Sequence, residues 1–340
     1  MTQLPPPAAP LRVIVSLDVE EEGLFSGRYA ATGCGVRNVA LLRELAPLTQ
    51  ELGFPLTLFC AHTVFASAEA RPHLAWLRDH YGAEIAAHLH HWSTPPLSEG
   101  PLADGPPPRT DTLPRPLLRA RLHTLLQACG INDHFQGAPL TSFRMGRWDC
   151  KAVLRPLLAA EGITLDSSVC PLRVFDHAGP DHFLAPADPY WAEPATTPDG
   201  PARDALLISP ITQIPILRPL ARLWHWLGRG KARTDNFHFW GALSPNPVWH
   251  AAPVMRGCVR LHAWRGGRVL HLFLHSSELL PGASPNVPDT AAATALYRKL
   301  YDFLAWLRES RPVRGVTAAQ LRAEAPALGF GPRPAGPGDW

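Results

Sequence analysis

The chain has 340 residues, 46% of them hydrophobic, and a formal net charge of +3, so it can bury one large core and carries too little charge to mark a nucleic-acid partner. Six cysteines (Cys34, Cys60, Cys129, Cys150, Cys170, Cys258) show no C-x-x-C spacing, which argues against a zinc ribbon or a disulfide framework and suits a reducing compartment. No run approaches the roughly 20 apolar residues of a membrane span and no charged-then-apolar leader opens the chain, so a cytoplasmic protein is expected.

Residues 1–10 read as a Pro-rich leader. The β-branched run 11–17 (L-R-V-I-V-S-L) is short enough for a buried parallel strand and delivers Asp18 and Glu20 to its end, on one side, with Val19 turned away. Residues 36–52 place Val39, Leu42, Leu45 and Leu48 near helical spacing, and 55–61 (P-L-T-L-F-C-A) read as a second strand. A helix is expected over 67–81 with Ser67 as its N-cap, followed by a third strand over 83–88. Strand, helix, strand, helix, strand is the signature of a parallel sheet with right-handed crossovers.

The Pro- and Gly-rich stretch 93–116 reads as a loop over the strand ends, and 117–129 as a helix. A strand over 140–144 (L-T-S-F-R) leads to Arg144, Arg147 and Trp148, a helix over 149–161 closes at Gly162, and a strand over 163–165 ends at Asp166. Residues 170–203 are aperiodic; 205–214 and 259–263 (V-R-L-H-A) read as strands, and 268–275 (R-V-L-H-L-F-L-H) as the last clear one. Leu296, Leu300, Phe303, Leu304 and Leu307 form one stripe of a helix over 290–309. With no repeat and no linker, the chain reads as a single barrel domain over 11–311, followed by a partly irregular extension over 312–340.

Chemistry collects at the strand ends. The stretch 84–96 (E-I-A-A-H-L-H-H-W-S-T-P-P) puts three histidines within four residues, and in extended chain His88 and His90 face the same side with Leu89 behind them. They can grip one ion, with an oxygen ligand from the acidic stretch 17–22 (L-D-V-E-E-E). The bland alternatives are a solvated histidine turn and ion pairs at a strand end. The segment 217–230 (L-R-P-L-A-R-L-W-H-W-L-G-R-G), flanked by Lys231 and Arg233, is basic and aromatic; it reads as a lid helix or as a contact with an anionic membrane surface.

Acids after the first strand, histidines at the third, F-R-x-x at the fourth, D-S-S-V at the fifth and a strand-end histidine near the close resemble, in this order, the NodB-homology polysaccharide deacetylases. The likeness runs from about residue 11 to 308. S-F-R-M-G-R-W at 142–148 and H-S-S-E-L-L-P-G-A-S-P at 275–285 look most like the WalW-type subgroup. The resemblance implies an α/β fold, a distorted (β/α) barrel of the NodB type, and a divalent metal, zinc foremost. It implies removal of an acetyl or other small acyl group from an amino sugar or glycan precursor, nucleotide- or lipid-linked sugars included.

Carried onto this chain, the resemblance makes Asp18 the general base and Glu20, His88 and His90 the metal ligands. Arg144 would hold Asp18 or clamp Asp166, and His275 would donate a proton to the leaving amine. Trp92, Arg147, Trp148 and Asp166 are the candidate substrate contacts, and His91 reads as a surface residue able to replace His90. The chain departs from the family pattern in its D-x-E acids, in the close spacing of its histidines and in R-M-G-R-W where R-x-P-Y is usual. A barrel that has lost catalysis and binds a glycan or a protein is the alternative.

Overall fold

The computed structural model of the chain describes residues 9–97, 107–130, 139–175, 179–192, 196–197, 200–201, 205–228, 236–334 and 338. The expected leader up to residue 8, the middle of the loop over 93–116, parts of 170–203 and the basic residues Lys231 and Arg233 lie outside them.

Nine strands form one sheet. Its order is Val269–His275, then β1 (Leu11–Val19), β2 (Leu56–Ala61), β3 (Glu84–Leu89), β4 (Ser142–Met145) and β5 (Leu165–Asp166), then Leu207–Ile208 and Tyr190–Trp191. Val313–Gly315 also pairs with β1, and every pairing is parallel except that of Tyr190–Trp191 with Leu207–Ile208. Curled into a half-closed barrel with helices outside, this is the distorted (β/α) barrel expected from the sequence.

Period-two alternation sorts β1 between two cores. Val13, Val15, Leu17 and Val19 face outward against the stripe Leu296, Leu300, Phe303, Leu304 and Leu307 of the helix Thr290–Ser310. Ile14 faces inward, with Phe59, Ala86, Leu165, Leu207 and Val269 from strands around the barrel. That inner cluster is completed by Val316, Ala318, Leu321 and Ala325, so the helix Ala318–Leu328 plugs the barrel interior. Register then places Asp18 beside His275 and His88 beside Arg144 at the strands' C-terminal ends.

Several elements differ from the sequence reading. Residues 259–263 are not a strand but part of the helix Ala252–Trp264, whose buried Met255, Cys258, Val259 and His262 follow helical spacing. Arg37–Leu45 is a 3₁₀ helix, followed by a short α-helix Ala46–Gln50. Val39, Leu42 and Leu45 recur every third residue, which is the 3₁₀ period and not 3.6. The helix expected over 67–81 begins only at Arg71, where Pro72 occupies the first turn, and a separate short helix His62–Ala66 precedes Ser67. Pro156 likewise starts Arg155–Ala160 late, and the strand expected over 205–214 divides into Leu207–Ile208 and Ile214–Pro215. Among the described residues no helix is long and apolar enough to cross a membrane, and all six cysteines are free thiols.

Candidate metal centre

The chain turns as it leaves β1, and the turn is pinned. Ser276 Oγ accepts from the Glu20 backbone N–H at 3.2 Å, and Asn38 Nδ2 donates to Glu20 O at 2.9 Å and to Ser276 Oγ at 2.8 Å. The Glu20 side chain therefore enters the barrel mouth opposite β3. There His88 Nε2 and His90 Nε2 lie 3.5 and 3.3 Å from Glu20 Oε2. One ligand atom from each of the three buried residues falls within 4.8 Å of the others.

The outer ring nitrogens decide the tautomers. His88 Nδ1 is 3.0 Å from Arg144 O, and a carbonyl only accepts, so Nδ1 carries the proton and Nε2 offers its lone pair to the cluster. His90 Nδ1 is 3.0 Å from Glu21 Oε1, an arrangement that orients a ligating histidine and raises its basicity. Glu21 is itself fixed by Trp92 Nε1 at 3.2 Å, Ser93 Oγ at 3.1 Å and Thr63 Oγ1 at 3.0 Å. The Trp92 indole stacks on His90 with centroids 4.3 Å apart. Gly146 also abuts the His90 ring, where a Cβ would lie 2.4 Å from His90 Cδ2. Any side chain at 146 would displace the imidazole.

Beneath the cluster lies a polar layer built on Arg144, which is wholly buried. Its Nη1 pairs with Asp18 Oδ1, its Nη2 donates to Ser16 Oγ and Ser167 Oγ, both at 2.9 Å, and its Nε donates to Ser167 O at 3.2 Å. His275 Nε2 stands 3.8 Å from the other Asp18 oxygen. Glu278 holds His275 from behind, accepting from its backbone N–H at 2.9 Å and lying 3.4 Å from its Nδ1.

Four buried carboxylates (Asp18, Glu20, Glu21, Glu278) thus gather around the histidines, and of these it is Asp18 that pairs with the Arg144 guanidinium. The charge is offset either by protons on histidine or by a cation. Burial works against a charged His90, yet Glu21 and Glu20 outweigh it and push its pKa up to about 10. Burial likewise opposes a charged His275, but Glu278, Glu20 and Asp18 raise it to about 9. For Glu20, burial is overcome by the facing imidazoles of His88 and His90 and by His275, and its pKa falls below the ordinary carboxylate range. Two imidazole nitrogens and one carboxylate, with an excess of negative charge behind them, are donors that suit a divalent ion such as zinc.

A Mycobacterium smegmatis protein classed as a polysaccharide deacetylase superposes on this chain with a TM-score of 0.56 at 17% identity, covering 97% of this chain and 98% of that one. The chain has a barrel of the deacetylase type. A GH57 branching enzyme from Thermococcus kodakaraensis, solved with glucose, matches with a TM-score of 0.52 at 10% identity over 96% of this chain and 73% of that one. No protein-family model matches the sequence, and no curated protein does. At such identities the likeness is one of fold, so the chemistry must be read from side chains.

On this barrel the remaining candidates part company. Arg147 and Trp148 are half-buried at the mouth in left-handed backbone, with φ of 57° and 56°. Trp148 meets Phe273 edge-on at 5.0 Å, and Arg147 donates to Pro107 O at 3.2 Å while lying over Tyr29 at 5.3 Å. Trp92 is buried behind His90 and bonded to Glu21. Asp166 is buried beneath the site, 3.3 Å from Arg155 Nε, and accepts from Ser168 N at 2.9 Å, so Arg144 pairs with Asp18 and not with Asp166. His91 is buried, not superficial: its pKa drops to about 4 through burial and then Arg121, and it stands outside the Glu20–His88–His90 group.

The sequence reading passed over Glu21, Gly146 and Glu278. Glu21 belongs to the stretch 17–22 (L-D-V-E-E-E), but strict alternation sends it outward with Val19. The strand ends at Val19, and the turn brings both glutamates inside.

Proposed function

We propose that the chain is a metal-dependent hydrolase that removes an acetyl or other small acyl group from an amino sugar or glycan precursor. One observation carries this reading: the Glu20 carboxylate faces two imidazole Nε2 atoms whose Nδ1 protons are held by fixed acceptors. A divalent ion bound by Glu20, His88 and His90 would supply Lewis-acid polarisation of the acyl carbonyl and acidify a water molecule.

The chain's own residues have separate tasks. Asp18, held and aimed by Arg144, takes the proton of the attacking water as that water's oxygen bonds to the carbonyl carbon. His275, held protonated by Glu278, gives its proton to the leaving nitrogen as the C–N bond breaks. Asp18 and His275 lie side by side, so the proton gained by one and lost by the other can be exchanged before the next turnover. Trp148 and Arg147, half-buried at the mouth, would meet the sugar. Trp92 supports His90, and Asp166 supports β5 through Arg155. The strings at 142–148 and 275–285 favour the WalW-type subgroup, and the free cysteines suit a cytoplasmic location.

The test is metal content alongside acetate release. The purified protein should hold about one zinc per chain and release acetate from acetylated amino sugars or their nucleotide-linked forms. Glu20→Ala and His88→Ala should each lose the metal and at least about 10²-fold in rate. A folded wild-type protein that takes up no divalent ion would instead support the non-catalytic binding barrel.

A further inference from the structure

Apart from these residues, the helix Arg218–Gly228 is built inside out. Ala221 is its buried residue, and Trp224 packs on Phe237 and Trp240 with centroids 6.1 and 5.1 Å away. On its outer side Leu220, Leu223, Trp226 and Leu227, with Leu217 just before the helix, are 37–62% exposed. Phe239 and Trp240 extend this surface, and Trp264 stands nearby, because Arg265 donates to Pro215 O at 2.6 Å and Ile216 O at 2.8 Å. Scattered apolar residues on a surface mean little, but one contiguous ridge of leucine and tryptophan marks a contact.

Charge indicates what makes the contact. Between residues 205 and 277 the sequence holds nine Lys and Arg against Asp235 alone, a formal +8. Since the whole chain is +3, the remainder carries −5. Around the helix axis Arg218 and Arg222 form a flank between the buried side and the apolar side. With Arg265 they line a cavity of about 290 Å³ that also touches Gln213, His262 and Asp188. Asp188 is taken by His262 at 3.5 Å and by the backbone N–H groups of Arg268 and Val269. Among the described residues no carboxylate pairs with Arg218, Arg222 or Arg265.

We propose that this ridge docks on an anionic phospholipid surface. Its leucines and tryptophans enter the headgroup boundary, and Arg218, Arg222 and Arg265 take lipid phosphates. A convex helix with an apolar outer side, a basic flank and no acidic residue is the form of an in-plane interfacial helix. Self-association fits less well. A two-fold contact between antiparallel copies of this helix would set each Arg218–Arg222 flank against its own copy.

The full-length protein, with or without metal, can be sedimented with vesicles of phosphatidylcholine alone and of phosphatidylcholine mixed with phosphatidylglycerol. Binding should require the anionic lipid, weaken with salt, and shift tryptophan fluorescence to the blue. Leu223→Asp with Trp226→Asp should lower the bound fraction on the order of tenfold or more. Arg218→Glu with Arg222→Glu, which leaves the apolar ridge intact, should do so to a similar degree. Failure of the wild type to bind anionic vesicles would overturn the proposal, as would equal binding by both double variants. So would a dimer in solution that the Leu223–Trp226 variant dissociates.

Discussion

Glu21 and Gly146 touch His90 from different directions, and both act on a metal only through that ring. Glu21→Gln keeps size and burial but removes the charge that Nδ1–H faces. Metal affinity should fall about 10–100-fold by chelator competition, with the melting temperature of the loaded protein little changed at saturating metal. Gly146→Ala should weaken metal binding in the same direction, because the new Cβ has no room beside the imidazole. Gly257→Ala is the control: open space surrounds that position, and affinity should not move. Wild-type affinity in both the Glu21 and Gly146 variants would mean that His90 is not a ligand.

At the level of elements, parallel pairing brings the acids of β1 and the histidines of β3 to one rim, because the strands run the same way and end together. The opposite end of the barrel is closed by Ala318–Leu328, a helix within the expected partly irregular extension over 312–340. Its Thr317 cap accepts from Gln320 N at 3.2 Å, and the Gln320 side chain accepts from Thr317 N at 2.9 Å, so a capping box fixes its start. Leu321 is fully buried in the inner cluster, and Leu321→Ala should cost about 2–5 kcal/mol in denaturant unfolding. A loss below about 0.5 kcal/mol would show that the helix is no part of the cooperative core.

For the molecule as a whole, the crowded carboxylates tie stability to pH. The folded state raises His275 to about 9 and His90 to about 10, from an ordinary 6.5. A folded chain that holds protons more tightly than the unfolded one is stabilised where those protons are bound. In metal-free protein this contribution should be complete below pH 6.5 and vanish as pH rises through about 9 to 10. Melting temperature measured in chelator should therefore decline across that window, and zinc, which would take the place of the proton on His90, should reduce the slope. A flat profile in chelator would show that the histidines are neutral in the empty fold.

The barrel was implied by the resemblance to a known family; the amino-acid sequence by itself determined the parallel strands and the strand-end positions of Asp18, Glu20, His88, His90, Arg144 and His275. Those features follow from composition and a period of two, which are local properties of short segments. Only the tertiary structure decided that Arg144 takes Asp18 while Asp166 goes to Arg155, that Trp92 lies behind a histidine, and that Glu21 and Gly146 hold His90. Each of the contacts with Asp18, Glu21 and Gly146 joins residues from strands or turns dozens of positions apart, and no pattern along the chain encodes which of two nearby acids an arginine will reach. The same limit applied to residues 36–52, where the 3₁₀ and α-helical rhythms read alike, and to 259–263, an alternating run that reads as a strand until packing shows the helix Ala252–Trp264 burying Met255, Cys258, Val259 and His262.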